Sequence, residues 1–366
     1  MNPRITLVVF ATVLVCMICL LTAKIYIFGF DLGNHQARGV WVAAILIPIL
    51  YIGSFFNSRN ANRLGKIYYR TINIVAGIVF YLFLGAILLG FISIPFAFSG
   101  TMIPLDTVWA IFGLALLSAA AGFIQARRIV VKQYEVTLSQ APDSWNGKTA
   151  AMISDTHFGL INHKKFADKV VNKLLSLKPD FALHAGDFYD GPIVDTESIT
   201  ASWKRLTAEI PLFYTPGNHE AYGDYRLFID SVKAAGATVL ENEKTEYDGI
   251  QIAGTLYHPG KEPHDIGDTL KSLSLDKEMA TILINHPPTA FAAPDEYGVN
   301  LIVSGHTHRG QTWPFRYLTK KVYAGYDYGV KPYKNLISIT SNGIGTYGPP
   351  IRLFNSPEVV LITFKV

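Results

Sequence analysis

Four long apolar stretches crowd the first third of the chain, and much shorter ones, each running into polar residues, recur through the rest. Ile5 to Ala23, Val40 to Phe56, Ile72 to Phe98 and Val108 to Ala126 contain no Lys, Arg, Asp or Glu. A bilayer core of roughly 30 Å takes about 20 apolar residues as a helix. A charge at its centre costs about 2.5 to 3.5 kcal/mol on insertion scales. The pattern therefore predicts four transmembrane helices in residues 1–130 and a separate domain over residues 131–366. The first run is long, has a thin basic start and lacks a small-residue cleavage site, which marks an anchor rather than a removed signal.

Beyond Arg127 the period changes. Phe166, Val170, Val171, Leu174 and Leu175 recur at helical spacing between His163 and Lys178, ahead of Pro179. Two more helices are expected over Thr196 to Glu209 and Tyr225 to Ala235, the latter stopping at Gly236. Strands are expected at Gln133 to Leu138, Ala150 to Ile153, Phe181 to Leu183, Leu212 to Tyr214, Thr281 to Ile284 and Leu301 to Val303. Ile250 to Ala253 and Leu336 to Thr340 suggest a second sheet. Strand, helix, strand within about 30 residues is a βαβ unit, so the class is α/β.

Composition sharpens this picture in two places. Charged residues are only 16% of the 366 and the mean hydropathy is +0.25, values normal for a chain with membrane spans. The net charge of +4 is modest and gathers beside the spans, which does not suggest a nucleic-acid partner. Arg59, Arg63, Lys66 and Arg70 follow the second span and Arg127, Arg128 and Lys132 the fourth. The loop after the first offers Arg38 and that after the third no base. The positive-inside rule then places the amino terminus and everything after Arg127 in the cytoplasm. Cys16 and Cys19 both lie in the first span and imply neither a disulfide framework nor a thiolate metal site.

Five of the apolar strands are followed at once by metal-capable residues. They read SDTH (Asp155, His157), GDFYD (Asp187, Asp190), GNHE (Asn218, His219, Glu220), NH (Asn285, His286) and GHTH (His306, His308). Ligands in open α/β sheets bind beyond the carboxyl ends of strands, where the loops converge. These clusters hold five of the ten histidines. Nitrogen and oxygen donors without thiolate suit Mn, Fe, Zn, Co, Ni or Mg. Glycines at 186, 217 and 305 permit close approach of backbone to a ligand.

The ordered blocks resemble the calcineurin-like metallophosphoesterase superfamily, over roughly Gln133 to Val366. The resemblance implies a sandwich of two mixed β-sheets flanked by helices, and two divalent metal ions. One ion would take Asp155, His157, Asp187 and His308. The other would share Asp187 and add Asn218, His286 and His306. His219 matches the histidine that contacts the phosphoryl oxygen or protonates the leaving group, and Asp190 a group supporting it. His306 and His308 would serve different metals, and an extended segment would point both to one side.

SDTHFG, GHTHRGQ and GIGTYGPPIRLFNSPEVVLITF are similar to a membrane-associated branch, whose relatives act on lipid-linked or nucleotide-sugar-lipid phosphates, UDP-2,3-diacylglucosamine pyrophosphatase-like enzymes among them. That branch commonly has glycine where Arg309 stands. Arg309 and Arg352 could pair with a phosphate as guanidinium forks. The implied activity is a membrane-anchored phosphohydrolase, in a bacterial inner membrane, cleaving a phosphoester or pyrophosphate by attack of a metal-bridging hydroxide. Its substrate would be lipid-linked, with no protein partner expected. The alternatives are a non-catalytic phosphate-binding sensor or transporter, and a phosphoesterase for a soluble nucleotide. His163, His184, His258 and His264 match no ligand position, and Trp145 and Trp203 read as packing.

Overall fold

A computed structural model describes residues 3–57, 62–191, 194–257 and 266–366; Arg59, His258 and His264 lie outside them. The chain divides into two units. The first comprises residues 1–124 with 348–353, the second 125–347 with 354–366.

The first unit holds α1 (Pro3–Gly29), α2 (Asn34–Asn57), α3 (Arg63–Ser99) and most of α4 (Leu105–Gln125). All four are long and apolar enough to cross a membrane. Each begins before the apolar run that signals it, because polar first turns extend the helix; Asn62 caps α3 by accepting from the Gly65 amide at 2.7 Å. Small residues let the helices approach: Ala86 and Leu89 of α3 pack with Val108 and Ile111 of α4 and Tyr26 of α1. Large apolar side chains remain outside, with Leu117 70% and Ile124 71% exposed. That outward face suits lipid and would be costly in water.

Residues 348–353 also belong to this unit, which the boundary expected near residue 130 does not anticipate. Ile351 and Leu353 join Tyr81 and Ala119 in one apolar cluster, and the Arg352 amide donates to the Gly122 carbonyl at 3.0 Å. The hexapeptide lacks strand period, so its burial among helices leaves no signature in the pattern.

The second unit is a pair of six-stranded mixed sheets. Along the chain they are built from β1 (Val130–Thr137), β2 (Thr149–Ile153), β3 (Phe181–Ala185), β4 (Leu212–Thr215), β5 (Thr238–Val239), β6 (Glu243–Tyr247) and β7 (Ile250–Thr255). There follow β8 (Thr281–Asn285), β9 (Leu301–Ser304), β10 (Gly329–Tyr333), β11 (Leu336–Thr340) and β12 (Glu358–Lys365). One sheet runs β1-β12-β2-β3-β4-β5 and the other β10-β11-β9-β8-β7-β6. β2 to β5 are mutually parallel, as are β7, β8, β9 and β11.

Strand period decides the layers. Ala150 and Met152 face the core between the sheets while Ala151 and Ile153 face outward under helices. The outer helices are α5 (Lys164–Leu177), α6 (Thr196–Thr207) and α7 (Tyr225–Ala234) on the first sheet. α8 (Gly267–Leu273) and α9 (Ala292–Glu296) cover the second, and α10 (Arg316–Val322) follows β9. On β8 and β9, Ile282, Ile284, Leu301 and Val303 enter the central core, and Leu283 and Ile302 the outer one. Trp145 and Trp203 are both fully buried, in the central and outer cores respectively, as packing residues. Five parallel strands, β2, β3, β4, β8 and β9, thus end on polar loops.

Candidate metal centre

Asp155 and His157 follow β2, Asp187 and Asp190 follow β3, and Asn218 and His219 follow β4. His286 and His306 with His308 follow β8 and β9. These loops converge. Asp155 is fully buried, and His157, Asp187, His286 and His308 are nearly so.

Two donor sets meet at one carboxylate. On one side His157 Nε2 and His308 Nε2 lie 2.9 Å apart, with Asp155 Oδ1 3.4 Å from the latter. On the other, Asn218 Oδ1 lies 3.1 Å from His286 Nε2 and 2.8 Å from His306 Nδ1. Asp187 Oδ2 is 3.9 Å from His157 Nε2 and 3.2 Å from His286 Nε2, so one oxygen faces both sets. Imidazole and carboxylate atoms packed this closely, all within 4.8 Å in each of three overlapping groups, fit a divalent cation of borderline or hard character. His286 Nδ1 donates to the Ala185 carbonyl at 2.7 Å, which fixes the tautomer and leaves Nε2 for a ligand.

The backbone at these ends is unusual. Asp155, His157, Asp187, His306 and His308 all have positive φ, between 45° and 68°. For residues with a Cβ this is sparsely populated and costs of order 1 to 3 kcal/mol each. His306 and His308 therefore reach the centre through a left-handed turn, correcting the extended segment expected from their i, i+2 spacing. Compensating bonds hold the turns. The His306 amide donates to both Asp155 oxygens at 3.1 Å, and the His219 amide to Asp187 Oδ1 at 2.8 Å. A Cβ at Gly217 would fall 2.2 Å from Asp187 Oδ1, and one at Gly305 2.5 Å from Asp155 Oδ2. Neither position has room for a side chain.

The electrostatics follow from burial and from the carboxylates. Burial raises Asp155 to about 6. It also drives the His157 and His306 imidazoles down to about 4 and about 3, with neighbouring imidazolium charge adding to the effect. For His286 and His219 burial opposes protonation, but Asp187 outweighs it and both rise to about 9. Asp190 helps at His219, whose Nδ1 donates to Asp190 Oδ1 at 2.9 Å. Asp187 itself is held well below the ordinary carboxylate range, since His286 and His219 overcome its desolvation. These are the charges of the metal-free site; a bound cation favours the deprotonated ligands.

Other side chains support these loops. Ser154 Oγ donates to Asp155 Oδ2. Glu220, buried and raised to about 7 by desolvation, accepts the amides of Gly217, Asp187 and Tyr189 at 2.7, 3.2 and 2.9 Å. His184 Nε2 lies 3.2 Å from Thr156 Oγ1, which donates to the Phe188 carbonyl and so ties two ligand loops together. Asn355 Nδ2 donates to the His308 carbonyl at 2.6 Å. Glu220 is the last of the metal-capable residues in the GNHE block, and here it braces backbone amides instead; Asn355 carries no local signal.

A cavity of about 310 Å³ opens over the centre, lined by Asp187, Asn218, His219, His306, Tyr323 and Tyr347 among others. Its lining includes neither Arg309 nor Arg352. The Arg309 guanidinium stacks 4.2 Å from the Tyr328 ring, and Arg352 is fully buried in the helical unit. His163 caps α5, accepting from the Lys165 amide.

Residues 149–310 match the family described as calcineurin-like phosphoesterase. An uncharacterized metallophosphoesterase of Campylobacter jejuni is 30% identical over 58% of this chain and 58% of its own length. One from Aquifex aeolicus is 29% identical over 69% of this chain and 98% of its own. A transmembrane protein with metallophosphoesterase domain from Danio rerio is 27% identical over 71% and 63% respectively. Among solved structures, the 5'-nucleotidase precursor of Thermus thermophilus aligns with TM-score 0.33 at 13% identity, over 59% of this chain and 54% of that one. The chain spans little more than half the length of the Campylobacter relative. The part of the chain that matches calcineurin-like phosphoesterase is preceded by four apolar helices.

Proposed function

We propose that the protein is a membrane-anchored phosphohydrolase that uses two divalent ions and acts on a lipid-linked phosphoester or pyrophosphate. The reading is carried by Asp187 Oδ2, which faces His157 Nε2 and His286 Nε2 from between two separate donor sets. Asp155, His157 and His308 would hold one ion, Asn218, His286 and His306 the other, with Asp187 shared. Two ions in such a site supply Lewis acidity that lowers the pKa of water and neutralises phosphoryl charge.

The side chains do the rest. His219 borders the cavity, and its Nδ1–H is held by Asp190, which aims Nε2 at the reacting region. Raised to about 9, it is an imidazolium at neutral pH in the metal-free site and can bind a phosphoryl oxygen or give its proton to the departing oxygen. The ring of Tyr347, 4.9 Å from that of His308, and Tyr323 offer an aromatic rather than cationic wall. That suits a substrate recognised beyond its phosphate. The basic residues flanking the second and fourth spans favour a cytoplasmic domain, and the four helices favour an amphiphilic substrate.

The test is hydrolysis of a nitrophenyl phosphoester by the full chain with added Mn, with and without chelator, for wild type and Asp187→Asn. Turnover confined to the metal-supplied wild type is expected. Equal background in all four removes the enzyme reading and leaves phosphate binding as the role of the site.

A further inference from the structure

The loop that delivers His306 and His308 runs on into Thr312–Tyr323, TWPFRYLTKKVY, and this segment has two unlike sides. Outward it shows Trp313, Phe315, Tyr317, Leu318 and Val322, exposed by 38 to 65%. Among them stand Arg316, Lys320 and Lys321, and no acidic residue occurs from 312 to 326. None of the ion pairs between described residues involves these three bases. Inward, Thr319 and Tyr323 line the cavity over the metal ligands, and Thr319 Oγ1 lies 3.2 Å from Asp327 Oδ2. Gln311 pins the start of the segment, trading bonds of 3.0 Å with the Tyr347 backbone in both directions.

Five large apolar side chains within ten residues are an improbable face for water. Aromatic rings interleaved with uncompensated bases are the composition of elements that lie in the headgroup layer. α10 has only seven residues, far too few to cross a bilayer, so its apolar side can enter only the interface. The charge identifies the occupant: three cations with no acid among them complement an anionic lipid surface better than an apolar protein partner. We propose that Trp313–Tyr323 is an interfacial foot that seats on a bilayer containing anionic phospholipid while its other side walls the metal cavity. The foot stands whether or not the site is a hydrolase. If it is, the cavity opens beside headgroups.

The experiment places an environment-sensitive fluorophore on a single cysteine at Leu318→Cys in the full chain, with Cys16→Ala and Cys19→Ala. The protein is reconstituted into nanodiscs of phosphatidylcholine with or without phosphatidylglycerol, each doped with a doxyl-labelled quencher lipid. Leu227→Cys on α7, also exposed, is the reference position. The Leu318 label is expected to shift blue and quench more strongly than the Leu227 label in anionic discs. That excess should vanish in Lys320→Glu/Lys321→Glu and at high salt, with the thermal midpoint unchanged. Quenching no greater than at Leu227 overturns the proposal. So does a blue shift that persists in lipid-free detergent and grows with protein concentration, because it assigns the face to a second copy of the chain.

Discussion

In the helical unit apolar residues dominate every face of each helix, and charge is confined to the regions near the ends. In the sheet unit the central strands are short apolar runs buried on both faces, and the chemistry sits in the residue or two after each strand stops. The helices bury Ala86 and Val108 against one another but leave Leu117 and Ile124 outside. The strands bury both faces, as Ala150 and Ala151 show, and spend their polar residues at one edge. Tolerance differs accordingly. A helix in lipid accepts any apolar side chain on its outer face, whereas the strand ends fix residue identity atom by atom.

Four predictions sharpen or break this contrast. The largest concerns His219: His219→Gln should lower turnover of the nitrophenyl ester by about 10² to 10⁴-fold while bound metal is retained, as expected for lost proton transfer. Loss of metal along with rate would instead make His219 a ligand. Next, Gly217→Ala forces a methyl group against Asp187 Oδ1 and should destabilise the domain by about 1 to 3 kcal/mol, with reduced metal content. Calorimetry and elemental analysis of one preparation check both effects.

The third prediction is a pH dependence of the chelated protein. His219 and His286 are raised to about 9, so their contribution to stability is complete below about 6.5 and is lost as pH climbs through 9. Glu220, raised to about 7, acts in the same sense. His157 and His306, depressed to about 4 and 3, cost stability only as pH falls below about 6.5. The melting temperature should therefore decline between pH 6.5 and 9, and saturating metal should flatten that decline. A midpoint that is level or rising across this window without metal contradicts the charge assignment. The smallest effect belongs to the other unit: Ile351→Val removes one methylene from the cluster with Tyr81 and Ala119 and should cost about 0.5 to 1.5 kcal/mol, leaving metal content untouched.

Much of this organisation is legible in the chain because it rests on period and order. Runs without charge announce α1 to α4, and short apolar runs followed by Asp, Asn or His announce β2, β3, β4, β8 and β9. What periodicity cannot carry is conformation set by tertiary contact. The left-handed backbone at Asp155 and His308 is held by partners far along the chain, the His306 amide and Asn355. Neither can periodicity tell where a lone arginine goes. Arg309 finds the Tyr328 ring, and Arg352 is carried into the helical unit by its apolar neighbours Ile351 and Leu353.

Elemental analysis of the freshly purified full chain, beside Asp187→Asn, bears most directly on the claim that one carboxylate joins two donor sets. The account predicts two divalent ions per wild-type chain and loss of at least one on removing the shared charge. A single ion per chain, or a stoichiometry that Asp187→Asn leaves unaltered, would contradict it.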